Sequence, residues 1–221
     1  MVSDTPMQVL KIDPHSPQPE VIAQAARFAQ EGNALIFPTD TVYGIGVAAL
    51  DTGCPQAIYA IKDRDRDKAI PWLVQGTQAL EVYGRDIPTY AWELAELFWP
   101  GALTLIVKAS PRVPRAFQAQ DGSIALRAPA SPVALALIAR VGVPLATSSA
   151  NRQGGEPAIS LESIDPTLTQ RVSLALDGGV CPLKTSSTVV SCINADPLIL
   201  RPGALAQEVD KVLGKNQGQD S

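Results

Sequence analysis

"SPVALALIARVGVPLATS", residues 131–148, holds a helix and the strand that follows it. Ser131 supplies a capping hydroxyl, Pro132 suits the first turn, and Gly142 stands where a helix ends in a left-handed residue. "VPLATS" (143–148) is an apolar run too short for a second helix, and it ends in hydroxyls. A capped helix feeding straight into a buried strand is the repeating unit of an α/β sheet.

The same alternation extends in both directions. Upstream, "SIALRA" (123–128) and "ALTLIVKA" (102–109) read as strands, and "PTYAWELAELFWPG" as a helix closed by Pro100 and Gly101. "IPWLV" (70–74) is a strand, "CPQAIYAIK" a short helix opening at Pro55, and "ALIF" (34–37) a buried strand. "TVYGIGVAA" reads as a loop plus a second extended segment. The first helix is expected to take Ser16 as its cap, Pro17 in its first turn and Gly32 just beyond its end. Val21, Ile22, Ala25, Ala26 and Ala29 then share one face. Downstream come helical turns from Ser160, interrupted near Pro166. Three strands, "VSLALD", "STVVSCI" and "LILR", and a closing helix, "ALAQEVDKVLG", follow. Interleaved helices early and successive strands late predict one α/β domain over residues 1–221, with a twisted sheet mixing parallel and antiparallel pairs. Its core runs from about 18 to 213, ahead of a polar tail at 214–221.

Composition narrows the function classes. Of 221 residues 46% are apolar and 18% charged, which suits a folded core and not a disordered chain. The net charge of −4 disfavours a protein that coats nucleic acid. Cys54, Cys181 and Cys192 form no zinc or disulfide pattern. His15, the only histidine, lies in "DPHSPQPE", a poor setting for a catalytic base. No apolar run is long enough for a membrane span, and "MVSDTPMQVLKID" lacks the features of a signal peptide, so a cytoplasmic protein is expected.

Several segments carry chemistry. In "KDRDRDK" (62–68), an extended chain would place Lys62, Arg64, Arg66 and Lys68 on one side and the three acids on the other. Such a row of cations suits a polyphosphate, although composition alone leaves a solvated charge run as the alternative. "FPTDTVYGIG" (37–46) brings Thr39, Asp40 and Thr41 off a buried strand beside two glycines. "ATSSANRQGGEP" (146–157) offers a Ser- and Gly-rich turn of the kind that cradles anions, but not a P-loop. Arg127 and Arg201 each leave the polar end of an apolar strand, and a guanidinium is the fork-shaped partner of carboxylate or phosphate; a structural ion pair is the alternative for either one.

The order of these elements, "PTDTVYGIG", "KDR…K", "FWPGALTLIV", "IALRAP", "PLATSSAN", "SSTVV" and "ILRPGAL", resembles the YrdC/Sua5 family of threonylcarbamoyl-AMP synthases across residues 20–204. The resemblance implies a twisted α/β sheet around a deep basic cavity. It implies synthesis of threonylcarbamoyl-AMP from L-threonine, bicarbonate or CO2, and ATP, with release of pyrophosphate. Mg²⁺ would accompany the ATP, with no metal site of the protein's own. The product would pass to the machinery that transfers threonylcarbamoyl to adenosine 37 of tRNA. By similarity, Lys62 and Arg64 are catalytic, and Lys62, Arg64, Lys68, Ser123, Ser149, Asn151 and Arg201 bind ATP. Thr41, Arg127, Thr147 and Ser187 bind threonine. Lys184 stands where the family often has glycine, and Leu73 where some relatives have histidine. The rival expectations are a module that binds tRNA or other RNA weakly without catalysis, and a related carbamoyl-transfer enzyme.

Overall fold

The computed structural model describes residues 6–50, 55–62 and 70–216. The chain runs through β1 (Gln8–Lys11), α1 (Pro19–Gln30), β2 (Leu35–Phe37), β3 (Gly44–Ala48), α2 (Gln56–Lys62) and β4 (Trp72–Leu73). It continues through α3 (Gln78–Tyr83), β5 (Gly84–Arg85), α4 (Thr89–Phe98), β6 (Leu103–Ala109), β7 (Ser123–Arg127) and α5 (Pro132–Val141). β8 (Leu145–Ser149), α6 (Pro166–Thr169), β9 (Leu174–Asp177), β10 (Thr188–Ser191), β11 (Leu198–Arg201) and α7 (Ala206–Asn216) complete it.

The strands join in one mixed sheet of order β1-β9-β2-β3-β8-β4-β7-β6-β10-β11, with β5 paired to β6. β1 with β9, β9 with β2, β4 with β7 and β6 with β10 are parallel, and the other pairs antiparallel. This is the mixed α/β architecture that the alternation of segments predicts. Successive strand residues feed two different cores, as the period of two requires. Leu35, Phe37, Leu73 and Leu145 pack with α1 and α5, while Ile36, Trp72 and Ala146 pack with α4, β6 and β7. On α1 the buried residues are Ile22, Ala25, Ala26 and Ala29, the expected face. Ser131 caps α5 by accepting from the Ala134 N–H at 3.3 Å, and Gly142 has φ +86°. Both fit the sequence reading.

One local expectation differs, one is met, and three elements were not anticipated. Ser16 does not cap α1: the Asp13 carboxylate gathers the His15 and Ser16 N–H groups at 2.8 and 3.1 Å, and the helix opens later, at Pro19. The helical turns expected from Ser160 with a break near Pro166 are present: a single turn spans Leu161–Ser163, and α6 opens at Pro166, where Asp165 accepts the Thr167 N–H at 2.8 Å and Pro fits the first turn. β1, α3 and β5 are additions. β1 is an edge strand held to β9 by its ladder and by an ion pair from Lys11 to Asp177.

Candidate functional site

A cavity of about 530 Å³ is enclosed by the β2–β3 loop, the end of α2, β6, β7, β8, β10 and β11. Thr41, Lys62, Ser123, Arg127, Thr147, Ser149, Asn151, Ser187 and Arg201 all line it. Arg64 and Lys68, together with the proposed extended run from Asp63, lie outside the described residues. Among the described lining residues, Lys62, Arg127, Arg152 and Arg201 are cationic and Asp121 alone is anionic.

Arg127, at the end of β7, anchors one part of the cavity. Its Nε donates to the Gly101 carbonyl at 3.0 Å, Nη1 to Thr41 Oγ1 at 2.9 Å, and Nη2 to Asp40 Oδ1 at 2.5 Å. Both side chains of the ion pair are buried, with exposures of 8% and 5%. Burial pulls the guanidinium below its ordinary pKa and Asp40 acts in the opposite sense, so the group stays cationic. Two of its five N–H groups have no partner among the described residues, enough for a bidentate carboxylate. Asp40 stands behind the arginine, outside the cavity lining, and its Oδ2 has no partner among the described residues. Cys181 lies close by, but burial pushes its thiol up to about 11, too high for a nucleophile at neutral pH.

The loop before β3 is built around hydroxyls. Thr39 Oγ1 contacts Thr41 Oγ1 at 2.9 Å and donates to the Val42 carbonyl at 2.6 Å. Across from it, Thr147 donates to the Leu145 carbonyl at 3.0 Å. Thr147 needs both glycines of "YGIG". A Cβ on Gly44 would lie 2.7 Å from Thr147 Cγ2, and one on Gly46 would lie 2.8 Å from the Phe37 ring and 2.9 Å from Thr147 Oγ1. Glycine there is a requirement of close approach.

The other part of the cavity holds the remaining cations. Lys62 ends α2 buried, donating to Ser148 Oγ at 2.9 Å and to the Ser149 carbonyl at 2.5 Å. Ser149 donates to Asn151 Oδ1 at 2.5 Å, and Asn151 donates to the Gly155 carbonyl at 2.6 Å. Arg201 donates from Nε to the Ser187 carbonyl and from Nη2 to Ser187 Oγ, both at 3.0 Å. Ser187 Oγ in turn meets Thr104 Oγ1 at 2.8 Å. Arg201 is also held below its ordinary pKa, first by burial and then by the charge of Arg127, which places the two cations within electrostatic reach.

Sequence reasoning placed Asp40, Ser148 and Arg152 in segments that carry chemistry without giving them a binding role, and it passed over Thr104. The signal for Thr104 was available: in "LTLIV" Leu103, Leu105 and Val107 belong to the core, so Thr104 and Ile106 face the other way, into the cavity. Arg152 carries no comparable signal, being a loop residue 65% exposed with only a 3.9 Å contact to Asp165.

The family model described as "Telomere recombination", that of Sua5, YciO and YrdC, matches residues 27–203. The chain belongs to the Sua5/YciO/YrdC family. It is 37% identical over 194 residues to a putative threonylcarbamoyl-AMP synthase of Mycobacterium tuberculosis, covering 87% of this chain and 89% of that protein. It is 36% identical over 192 residues to the threonylcarbamoyl-AMP synthase of Pyrococcus abyssi, covering 86% of this chain and 56% of that protein. The crystal structure of P. abyssi Sua5 complexed with L-threonine superposes with a TM-score of 0.88 at 34% identity, over 94% of this chain and 61% of that one. The chain thus spans a little over half the length of its archaeal relative and nearly all of its mycobacterial one.

Proposed function

We propose that this protein is an L-threonylcarbamoyladenylate synthase, a nucleotidyltransferase that makes threonylcarbamoyl-AMP from L-threonine, CO2 or bicarbonate, and ATP. The observation that carries this reading is the convergence of Lys62, Arg127 and Arg201, from three separate elements, on one hydroxyl-lined cavity in a chain of this family. The threonine carboxylate takes the two remaining N–H groups of Arg127, with Thr41, Thr147 and Ser187 around it. The amine adds CO2 and loses a proton, giving an N-carboxylate. One oxygen of that carboxylate attacks the α-phosphorus, the bond to the β-phosphate breaks, and pyrophosphate leaves. Two anions must meet and charge grows on the leaving group, so positioning and fixed cations carry the catalysis and no protein nucleophile is needed. Lys62 and Arg201, with Arg64 and Lys68 by resemblance, supply those cations. Ser123, Ser149 and Asn151 complete the nucleotide side.

Magnesium fits this cavity as a companion of the nucleotide. Asp121 is the one carboxylate among the described lining residues, and its Oδ1 already accepts the Ser123 N–H at 2.9 Å. Among the described residues no group of three or more His, Cys, Asp or Glu could hold a metal. Mg²⁺ keeps phosphate and water ligands readily, so it would arrive on the phosphates and neutralise part of their charge. The product would feed threonylcarbamoyl transfer to tRNA in the cytoplasm, and no described helix is long and apolar enough to cross a membrane.

The test is incubation with ATP, ¹³C-bicarbonate and L-threonine, followed by mass spectrometry. The expected result is an adenylate containing threonine and one ¹³C, with equimolar pyrophosphate. Salt-dependent RNA binding with no ATP consumed would favour the binding-module alternative instead.

A further inference from the structure

The hydrogen bonds of the β2–β3 loop fix where each hydroxyl proton points. A carbonyl oxygen only accepts, so the 2.6 Å contact from Thr39 Oγ1 to the Val42 carbonyl uses the Thr39 proton. Thr39 Oγ1 has no further hydrogen to offer, so Thr41 donates the shorter 2.9 Å contact between the two hydroxyls, and the longer Thr41 and Val42 N–H bonds to Thr39 Oγ1, at 3.2 and 3.3 Å, share the remaining acceptor capacity. Thr41 Oγ1 also accepts from Arg127 Nη1 at 2.9 Å. Its proton and one lone pair are committed, and one lone pair remains on a residue that lines the cavity. Toward a ligand Thr41 is therefore an acceptor only, beside an arginine that is a donor only. Thr147 has the same polarity, because its proton goes to the Leu145 carbonyl.

We infer that Thr39 is a specificity-determining positioning residue: by directing the Thr41 proton away from the cavity, it makes Thr41 a lone-pair acceptor for the α-N–H of the amino acid whose carboxylate sits on Arg127. This rests on the reading of the cavity as a threonine site. In an α-amino acid the nitrogen and the carboxylate share one carbon, so they meet neighbouring partners, and Thr41 and Arg127 are such neighbours. After the amine adds CO2 (R–NH2 + CO2 → R–NH–CO2⁻ + H⁺), one N–H remains, so the contact persists through that step. A ligand with no α-donor leaves the Thr41 lone pair unused. An α-keto acid opposes one lone pair with another, which costs more than a missing bond.

Calorimetric titration in the presence of a non-hydrolysable ATP analogue tests this with L-threonine, (R)-3-hydroxybutanoate and 2-oxobutanoate. The wild type should favour threonine over each analogue by roughly tenfold or more, as one hydrogen bond to a desolvated partner implies. Thr39→Val should shrink that preference to about threefold or less and leave the affinity for the ATP analogue unchanged, while Thr39→Ser restores it. Wild-type binding of 2-oxobutanoate as tight as that of threonine overturns the inference, and this arm decides the matter should Thr39→Val fail to fold. An unchanged preference in folded Thr39→Val also overturns it. A wild type that binds no threonine at all overturns the reading of the cavity itself, and this inference with it.

Discussion

Arg127 and Arg201 leave the ends of two strands and enter the same cavity, yet they are held in different ways. Arg127 is backed by a buried carboxylate, a hydroxyl and a carbonyl, so its plane is fixed and its charge is largely balanced. Arg201 is held only by the carbonyl and hydroxyl of Ser187, with no carboxylate partner among the described residues. A balanced, rigid fork suits geometric recognition of one small carboxylate. An unbalanced cation keeps its field for a more highly charged group such as a triphosphate. In the proposed function, one cavity would thereby separate the task of orienting a ligand from that of neutralising one.

The largest expected effect breaks the Arg127 side. Asp40→Ala leaves a buried guanidinium without its counter-charge and should cost about 3–5 kcal/mol of stability, measured by urea denaturation. A loss below about 1 kcal/mol would mean that Arg127 finds its compensation elsewhere. Next, Arg→Lys at the two positions should differ. Arg127→Lys keeps the charge but loses the fork, and the affinity for threonine should fall on the order of 100-fold. Arg201→Lys keeps what the phosphates need, and turnover should fall by less than about tenfold. Equal losses at both sites would erase the distinction.

A smaller effect is expected from salt. Raising ionic strength from about 0.05 to 0.5 M should weaken nucleotide binding several-fold and leave threonine affinity nearly flat, since Arg201 is exposed to screening ions and the Arg127–Asp40 pair is buried away from them. Calorimetry at the two salt concentrations measures both. The smallest concerns the loop that carries Ser187. Lys184 there adopts φ +54°, a left-handed conformation costly for a residue with a side chain. Lys184→Gly should raise stability by up to about 1 kcal/mol, seen as a higher melting temperature, with turnover unchanged.

Much of this was legible before any coordinates. Ser131, Pro132 and Gly142 punctuate α5 as their chemistry requires, and "ALTLIVKA" reads as a strand, with Leu103, Leu105 and Val107 on its core face. Nine of the eleven expected site residues line one cavity, because each sits at a strand end, a helix end or a loop where the fold brings polar groups together. The others, Arg64 and Lys68, lie outside the described residues. What sequence reading missed follows from long-range contact. Asp40 matters through Arg127, 87 residues away, and no local pattern reveals that pairing. The cap of α1 was misplaced because Asp13 ties the His15 and Ser16 N–H groups into a turn, and the helix opens beyond it, at Pro19. β1 went unseen because a four-residue edge strand with an exposed pattern has almost no periodic signal.

The central claim is that one cavity holds the amino acid by an arginine balanced by Asp40 and the triphosphate by an arginine with no carboxylate partner among the described residues. A crystal structure with L-threonine and a non-hydrolysable ATP analogue addresses it most directly. The account predicts the threonine carboxylate within about 3.2 Å of two Arg127 nitrogens, with the phosphates turned toward Lys62 and Arg201. A threonine carboxylate seated on Arg201, or a nucleotide bound outside this cavity, would contradict it.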